Sequence, residues 1–95
     1  MPKKTTKAAK TTKKHEHLYV CLGKVISERR KKLGLSQEEL AADSGVDRAF
    51  LSNVETGKRN PSIGSVASIA QGMKMRLSRL VSKCEQCQDE LEDSA

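Results

Sequence analysis

Cys84 and Cys87 are three positions apart near one end of the chain, the spacing at which two thiolates can hold zinc or open and close a disulfide. A mononuclear zinc site needs two further ligands, and the two histidines, His15 and His17, sit in or beside a lysine-rich stretch at the other end. One chain therefore does not complete a site, although two such pairs meeting across a dimer would bring four thiolates together. A packing role explains the same residues. Leu77, Leu80, Cys84, Cys87 and Leu91 follow one another at intervals of three, four, three and four, the a/d seam of a coiled coil. Thiols are small, readily buried hydrophobes. We therefore expect a helical seam that includes Cys84 and Cys87, a packing role for Cys21, and neither metal nor cofactor. Three cysteines, an odd number, make no disulfide framework, and a reducing cytoplasm is their simplest setting.

The other chemistry-bearing residues are cations, and they are unevenly placed. Residues 1–14 carry six lysines and no acid, residues 15–83 sum to +5, and residues 84–95 carry five acids and no base. A basic body preceded by a lysine arm implies a polyanionic partner, and nucleic acid is the commonest. No phosphate-binding glycine loop is present, and no serine, histidine and carboxylate set occurs outside the ends, so the chain is not expected to be an enzyme. No apolar run approaches the ~18 residues of a membrane span, and no secretory signal is expected.

The elements that must position these groups are short helices. A chain of 95 residues has room for one small domain, and one aromatic pair (Tyr19, Phe50) argues against a strand-built core. Leu18, Leu22, Val25, Ile26 and Leu33 fall at near-helical spacing and predict a first helix stopped by Gly34. Ser36 followed by Glu39 is a capping box that starts a second helix, with Leu40 and Ala41 inward and Gly45 at its end. Asp47 is placed to cap a third helix through Leu51, Val54 and Glu55, closed by Gly57. After the polar link Lys58 to Pro61, Ser62 caps a fourth helix bearing Ile63, Val66, Ile69 and Ala70. Gly64 inside it costs about 1 kcal/mol relative to Ala. Met73 and Met75 fall in a turn, and a fifth helix begins near Leu77. The expected division is a lysine-rich disordered arm at 1–17, a domain at 18–83 and an acidic extension at 84–95.

Between the second and third helices, small Ala41, turn-forming Gly45 and apolar Val46, Leu51 and Val54 coincide at the steric positions of a helix-turn-helix. The stretch LGLSQEELAADSGVDRAFLSNVETGKRNPS resembles the Cro and repressor class of regulators, also called the xenobiotic-response-element family. The likeness runs from about Gly23 to about Val81. More narrowly, Arg48-Ala49-Phe50-Leu51-Ser52 followed by Glu55-x-Gly57-x-Arg59-Asn60 resembles the controller proteins of restriction-modification systems.

That resemblance implies an all-α, five-helix, lambda-repressor-like domain that binds double-stranded DNA as a homodimer on an inverted repeat. It implies that Arg48, Ala49, Phe50, Ser52 and Asn53 of the third helix read bases, with Arg48 on guanine and Phe50 on a thymine methyl. An exposed Phe50 has the alternative of lying against the second helix. Gln37, Lys58, Arg59 and Asn60 match phosphate-contacting positions, and Arg30 matches an arginine that pairs with Glu55. Leu77, Leu80 and Val81 form the expected dimer patch. At Arg76 the sequence departs from the usual Ser or Thr, so the fifth helix is expected to start less crisply, or later, at Ser78. The implied role is a cytoplasmic regulator that excludes RNA polymerase from a promoter or activates by contact with it. Prophage repressor and antitoxin are alternatives within the class, and a protein-interaction or architectural module with nonspecific DNA affinity is the alternative outside it.

Overall fold

The structure, a computed structural model, describes residues 15–94. Residues 1–14 of the lysine arm lie outside the described residues. Five helices follow in order: α1 (Glu16–Lys32), α2 (Gln37–Ser44), α3 (Arg48–Glu55), α4 (Ile63–Gly72) and α5 (Leu77–Ser94). No strand occurs among the described residues.

Local chemistry sets most of the boundaries. At the head of α2 the capping box is complete: the Glu39 amide donates to Ser36 Oγ at 3.0 Å, and the Ser36 amide donates to Glu39 Oε1 at 2.8 Å. Gly45 ends α2 at φ 70°, a left-handed conformation that releases its amide to Ala42 O and lets Val46 reach back to Ala41 O. Ser62 caps α4 by accepting from the Ser65 amide at 3.1 Å. One boundary differs from expectation, and two further helix starts fall where expected but depart from it in their capping. Helix α1 begins at Glu16, two residues before the first periodic leucine. Asp47 occupies the N-cap position of α3 in extended backbone, yet its side chain makes no capping bond. Helix α5 starts at Leu77 despite the missing Ser or Thr, because the Arg76 carbonyl accepts from the amides of Arg79 and Leu80. It then continues without a break through the acidic residues.

One core holds the bundle together. Ile26, Leu40, Leu51, Val54, Ile69, Met73 and Leu80 are fully buried and come from all five helices and the α4–α5 turn. Helix α1 is the central member, packing along α5 on one side and against α3 on the other, while α2 packs on α4. Gly23 makes the α1–α3 approach possible: a Cβ there would collide with the backbone carbonyls of Val54 and Glu55. Arg29 fastens the opposite side, donating through Nε to Met73 O at 3.2 Å and through Nη2 to Lys74 O at 3.4 Å. Carbonyls at the end of a helix are natural acceptors for such a cation.

The seam expected along α5 is used within the chain. Leu80 and Cys84 are buried in the core, and Leu77 packs against it half-buried, whereas Leu91 is exposed. Leu80 is therefore not part of an exposed dimer patch: it stands a turn inside the face that α5 presents to its own bundle. The cysteine expectation also changes. Cys21 of α1 is not a simple packing residue and Cys87 is not a seam thiol, because the two are joined as a disulfide across a Cα separation of 5.7 Å, with Cys84 the free, buried thiol. Residues three apart on a helix point about 60° apart, enough for two side chains on one broad face to have different neighbours. Cys84 thus faces the core while Cys87 faces α1.

Candidate nucleic-acid interface

Helix α3 divides cleanly into an anchored and an open face. Leu51 and Val54 are fully buried and fix its rotation. That rotation leaves Arg48, Ala49 and Asn53 exposed and Ser52 half-buried. Arg48 occupies the first residue of the helix, so its side chain leaves from the end that helix-turn-helix geometry brings nearest to a groove floor.

The far end of α3 is held by Glu55. Arg30 donates to it through Nε to Oε2 at 2.8 Å and through Nη2 to Oε1 at 3.1 Å, a forked pair, and its third nitrogen, Nη1, donates to Leu35 O at 2.8 Å. Gln37 Nε2 adds a donor to Glu55 Oε1 at 3.0 Å. The Arg30–Glu55 pair therefore ties together α1, the α1–α2 loop, the start of α2 and the end of α3. The side chains are 12% and 5% exposed for Arg30 and Glu55. Hydrogen bonding to Glu55 raises the Arg30 pKa further above its ordinary value, against the opposing effect of burial. A raised basic pKa means that the contribution of the Arg30 charge is fully present at neutral pH and is lost as pH rises through the raised value.

This network changes the place of Gln37. The side chain expected at phosphate has an amide donor committed to Glu55, leaving the exposed start of α2 as the feature that can face an anion there. Phe50 is half-buried and packs against the core, and the Arg59 guanidinium carbon lies over its ring, 5.2 Å from the centroid. A cation so placed is attracted by the ring's negative face. Arg59 thereby covers the side of α3 and links it to the segment after Gly57. That segment leaves α3 through a left-handed Gly57 at φ 76°, with the Lys58 amide donating to Asn53 O at 2.9 Å. Lys58, Arg59 and Asn60 are all exposed beside the end of α3.

The arrangement brings exposed Arg48, Asn53, Lys58, Arg59 and Asn60 onto one helix and the link that follows it. It does not bring Leu80 to the surface. The Phe50–Arg59 contact and the Arg29 bonds to the α4–α5 turn had no signal in the sequence pattern, because the polar segments that contribute them carry no periodicity. Among the described residues no group of three or more His, Cys, Asp or Glu is placed to hold a metal ion, and no helix is long and apolar enough to cross a membrane.

Comparison with known proteins gives a consistent picture. The control protein C.MunI of a Mycoplasma species is 42% identical over 57 residues, covering 60% of this chain and 77% of that protein. The crystal structure of the restriction-modification controller protein C.AhdI from Aeromonas hydrophila superposes with a TM-score of 0.64 at 37% identity, over 65% of this chain and 94% of that one. The controller protein C.Esp1396I, solved as a tetramer on its natural 35 base-pair operator, superposes with a TM-score of 0.69 at 28% identity, over 75% and 93%. The helix-turn-helix family matches residues 26–80, which run from the middle of α1 through the buried Leu80, and the chain belongs to that family.

Proposed function

We propose that the protein is a sequence-specific, DNA-binding transcriptional regulator, not an enzyme, acting in the cytoplasm as a homodimer on an inverted repeat, and that it controls a restriction-modification system. The observation that carries this reading is the anchored α3: Leu51, Val54 and the Glu55 network fix its orientation while Arg48, Ala49 and Asn53 face outward. The likeness to controller proteins favours that system over a prophage repressor or an antitoxin. Arg48, Ala49, Ser52 and Asn53 read bases, with Phe50 supplying apolar contact from its outer edge. Lys58, Arg59, Asn60 and the start of α2 at Gln37 hold phosphates. Promoter occupancy then excludes RNA polymerase or recruits it.

Dimerisation uses the apolar surface that the fold leaves open. Ile63 is 69% exposed and Val81 39% exposed, and both line a groove of about 250 Å³ with Leu18, Tyr19, Leu22, Val66 and Cys84. A surface this apolar on so small a domain is better covered by a second copy than left in water. Converting both Ile63 and Val81 to Asp is expected to give a folded monomer at micromolar concentration by sedimentation. A persistent dimer would move the interface elsewhere. Leu80→Asp, by contrast, would bury a carboxylate in the core and destabilise the domain itself.

Selection of bound duplexes from a random library tests the function. The expected product is an inverted repeat whose half-sites are one helical turn, roughly 34 Å, apart. Recovery of no preferred sequence supports the architectural module instead. On the selected operator, deleting residues 1–14 is expected to flatten the log-affinity versus log-salt slope by about 0.9 for each phosphate the arm had neutralised, several units in all. Preference over random DNA persists, because lysines that neutralise phosphates do not read bases. An unchanged slope would remove the arm from the DNA interface.

A further inference from the structure

We propose that Cys21 and Cys87 form a reversible thiol–disulfide exchange site whose substrate is an anionic low-molecular-weight thiol or its disulfide, and whose opening releases the acidic last turns of α5 from α1. Three observations meet at this place. The bond joins helices through residues 66 apart in sequence, so it closes a large loop. Its two sulfurs differ in access: Cys21 is fully buried, whereas Cys87 is half-buried and lines a groove of about 380 Å³ between α1 and α5. The groove is basic, with Lys24, Lys32, Arg79 and Lys83 set against Glu28 and Glu90. A cationic surround draws in a small molecule that carries carboxylates.

The third cysteine stays out of the exchange. Cys84 is buried, and burial, with a smaller contribution from Glu85, pushes its thiol up to about 11. It is therefore protonated at neutral pH, and the thiolate is the attacking species.

The steps balance with the small thiol as reductant. Its thiolate attacks the accessible Cys87 sulfur, the Cys21–Cys87 bond breaks, and Cys21 leaves with the electron pair and takes a proton. A second small thiolate attacks the small molecule's own sulfur in the mixed disulfide, forming the small-molecule disulfide and releasing the Cys87 thiolate, which is protonated in turn. Two electrons and two protons pass to the protein. The reverse sequence, with the small disulfide as oxidant, closes the bond.

Opening has a defined structural consequence. Beyond Cys87, α5 presents Asp89, Glu90, Leu91, Glu92 and Asp93 as exposed residues, and the disulfide is the covalent tie that keeps this segment against α1. Buried Leu80 and Cys84 keep the earlier turns of α5 in place in either state.

The test equilibrates the full chain in buffers of varied reduced to oxidised glutathione ratio, then alkylates it folded and weighs it. One two-electron transition is expected, with Cys21 and Cys87 linked in oxidised protein, Cys87 alkylated in reduced protein and Cys84 unmodified in both. Reduction should lower the melting temperature by about 10 °C or more and speed amide exchange over residues 88–94 at least tenfold. Cys87→Ser should show neither redox-dependent change. Converting Lys24 and Lys83 to Glu should slow reduction by glutathione several-fold more than reduction by 2-mercaptoethanol, whose thiolate carries one negative charge and no carboxylate. A link through Cys84, a link between two chains, or no link at the oxidised limit would overturn the site. Equal slowing with both thiols would overturn the role of the groove.

Discussion

Replacing Arg30 with Met destabilises the fold by about 3 to 5 kcal/mol, the cost of breaking a buried ion pair by removing one partner. The substitution keeps most of the aliphatic volume but leaves Glu55, 5% exposed, with Gln37 as its one remaining side-chain donor. It also frees Leu35 O, which Arg30 Nη1 otherwise satisfies. Against a typical domain stability of about 5 to 15 kcal/mol, the loss is large. Replacing Glu55 with Met as well recovers part of it, because no unpaired charge is then left in the interior. Urea denaturation of the two variants checks both statements. Equal stability of wild type and Arg30→Met would mean that the pair does not hold α3.

The second large effect separates base reading from backbone holding. Arg48→Ala costs about 1 to 3 kcal/mol at the operator and relaxes the preference at one base pair in each half-site, since a guanidinium fork on guanine is specific. Arg59→Ala weakens all sequences about equally and lowers the salt slope by about one unit. Its stacking on Phe50 adds a further consequence: loss of the guanidinium exposes the ring, so the stability of Arg59→Ala must be measured alongside its binding. Melting curves supply that control for both variants.

The helices are legible in the sequence because their ends carry side-chain chemistry. Ser36, Gly45, Gly57 and Ser62 each mark a boundary by a cap or a left-handed turn, and Leu40, Leu51, Val54 and Ile69 mark inward faces by spacing. The open face of α3 follows from the same register. What spacing does not convey is which neighbour fills a face. The α5 seam reads equally well as a contact with a second copy, and only the three-dimensional path shows Leu80 and Cys84 turned into their own core. The Cys21–Cys87 bond is hidden for the same reason. Its residues are 66 apart, and the C-x-x-C spacing points to a pair that lies on one side of α5 but meets different partners, the core for Cys84 and Cys21 for Cys87. Gln37 likewise has two uses for one amide, and the carboxylate that claims it lies 18 residues away.

Base reading by α3 is tested most directly by titrating wild type and Arg48→Ala, both shown to be folded dimers, against a panel of single-base operator variants at two salt concentrations. Wild type is expected to discriminate at every half-site position, while Arg48→Ala is indifferent at one symmetric pair of positions and retains the wild-type salt slope. Full base preference in Arg48→Ala, with the preference lost in Arg59→Ala instead, would contradict this and take α3 out of the role of reader.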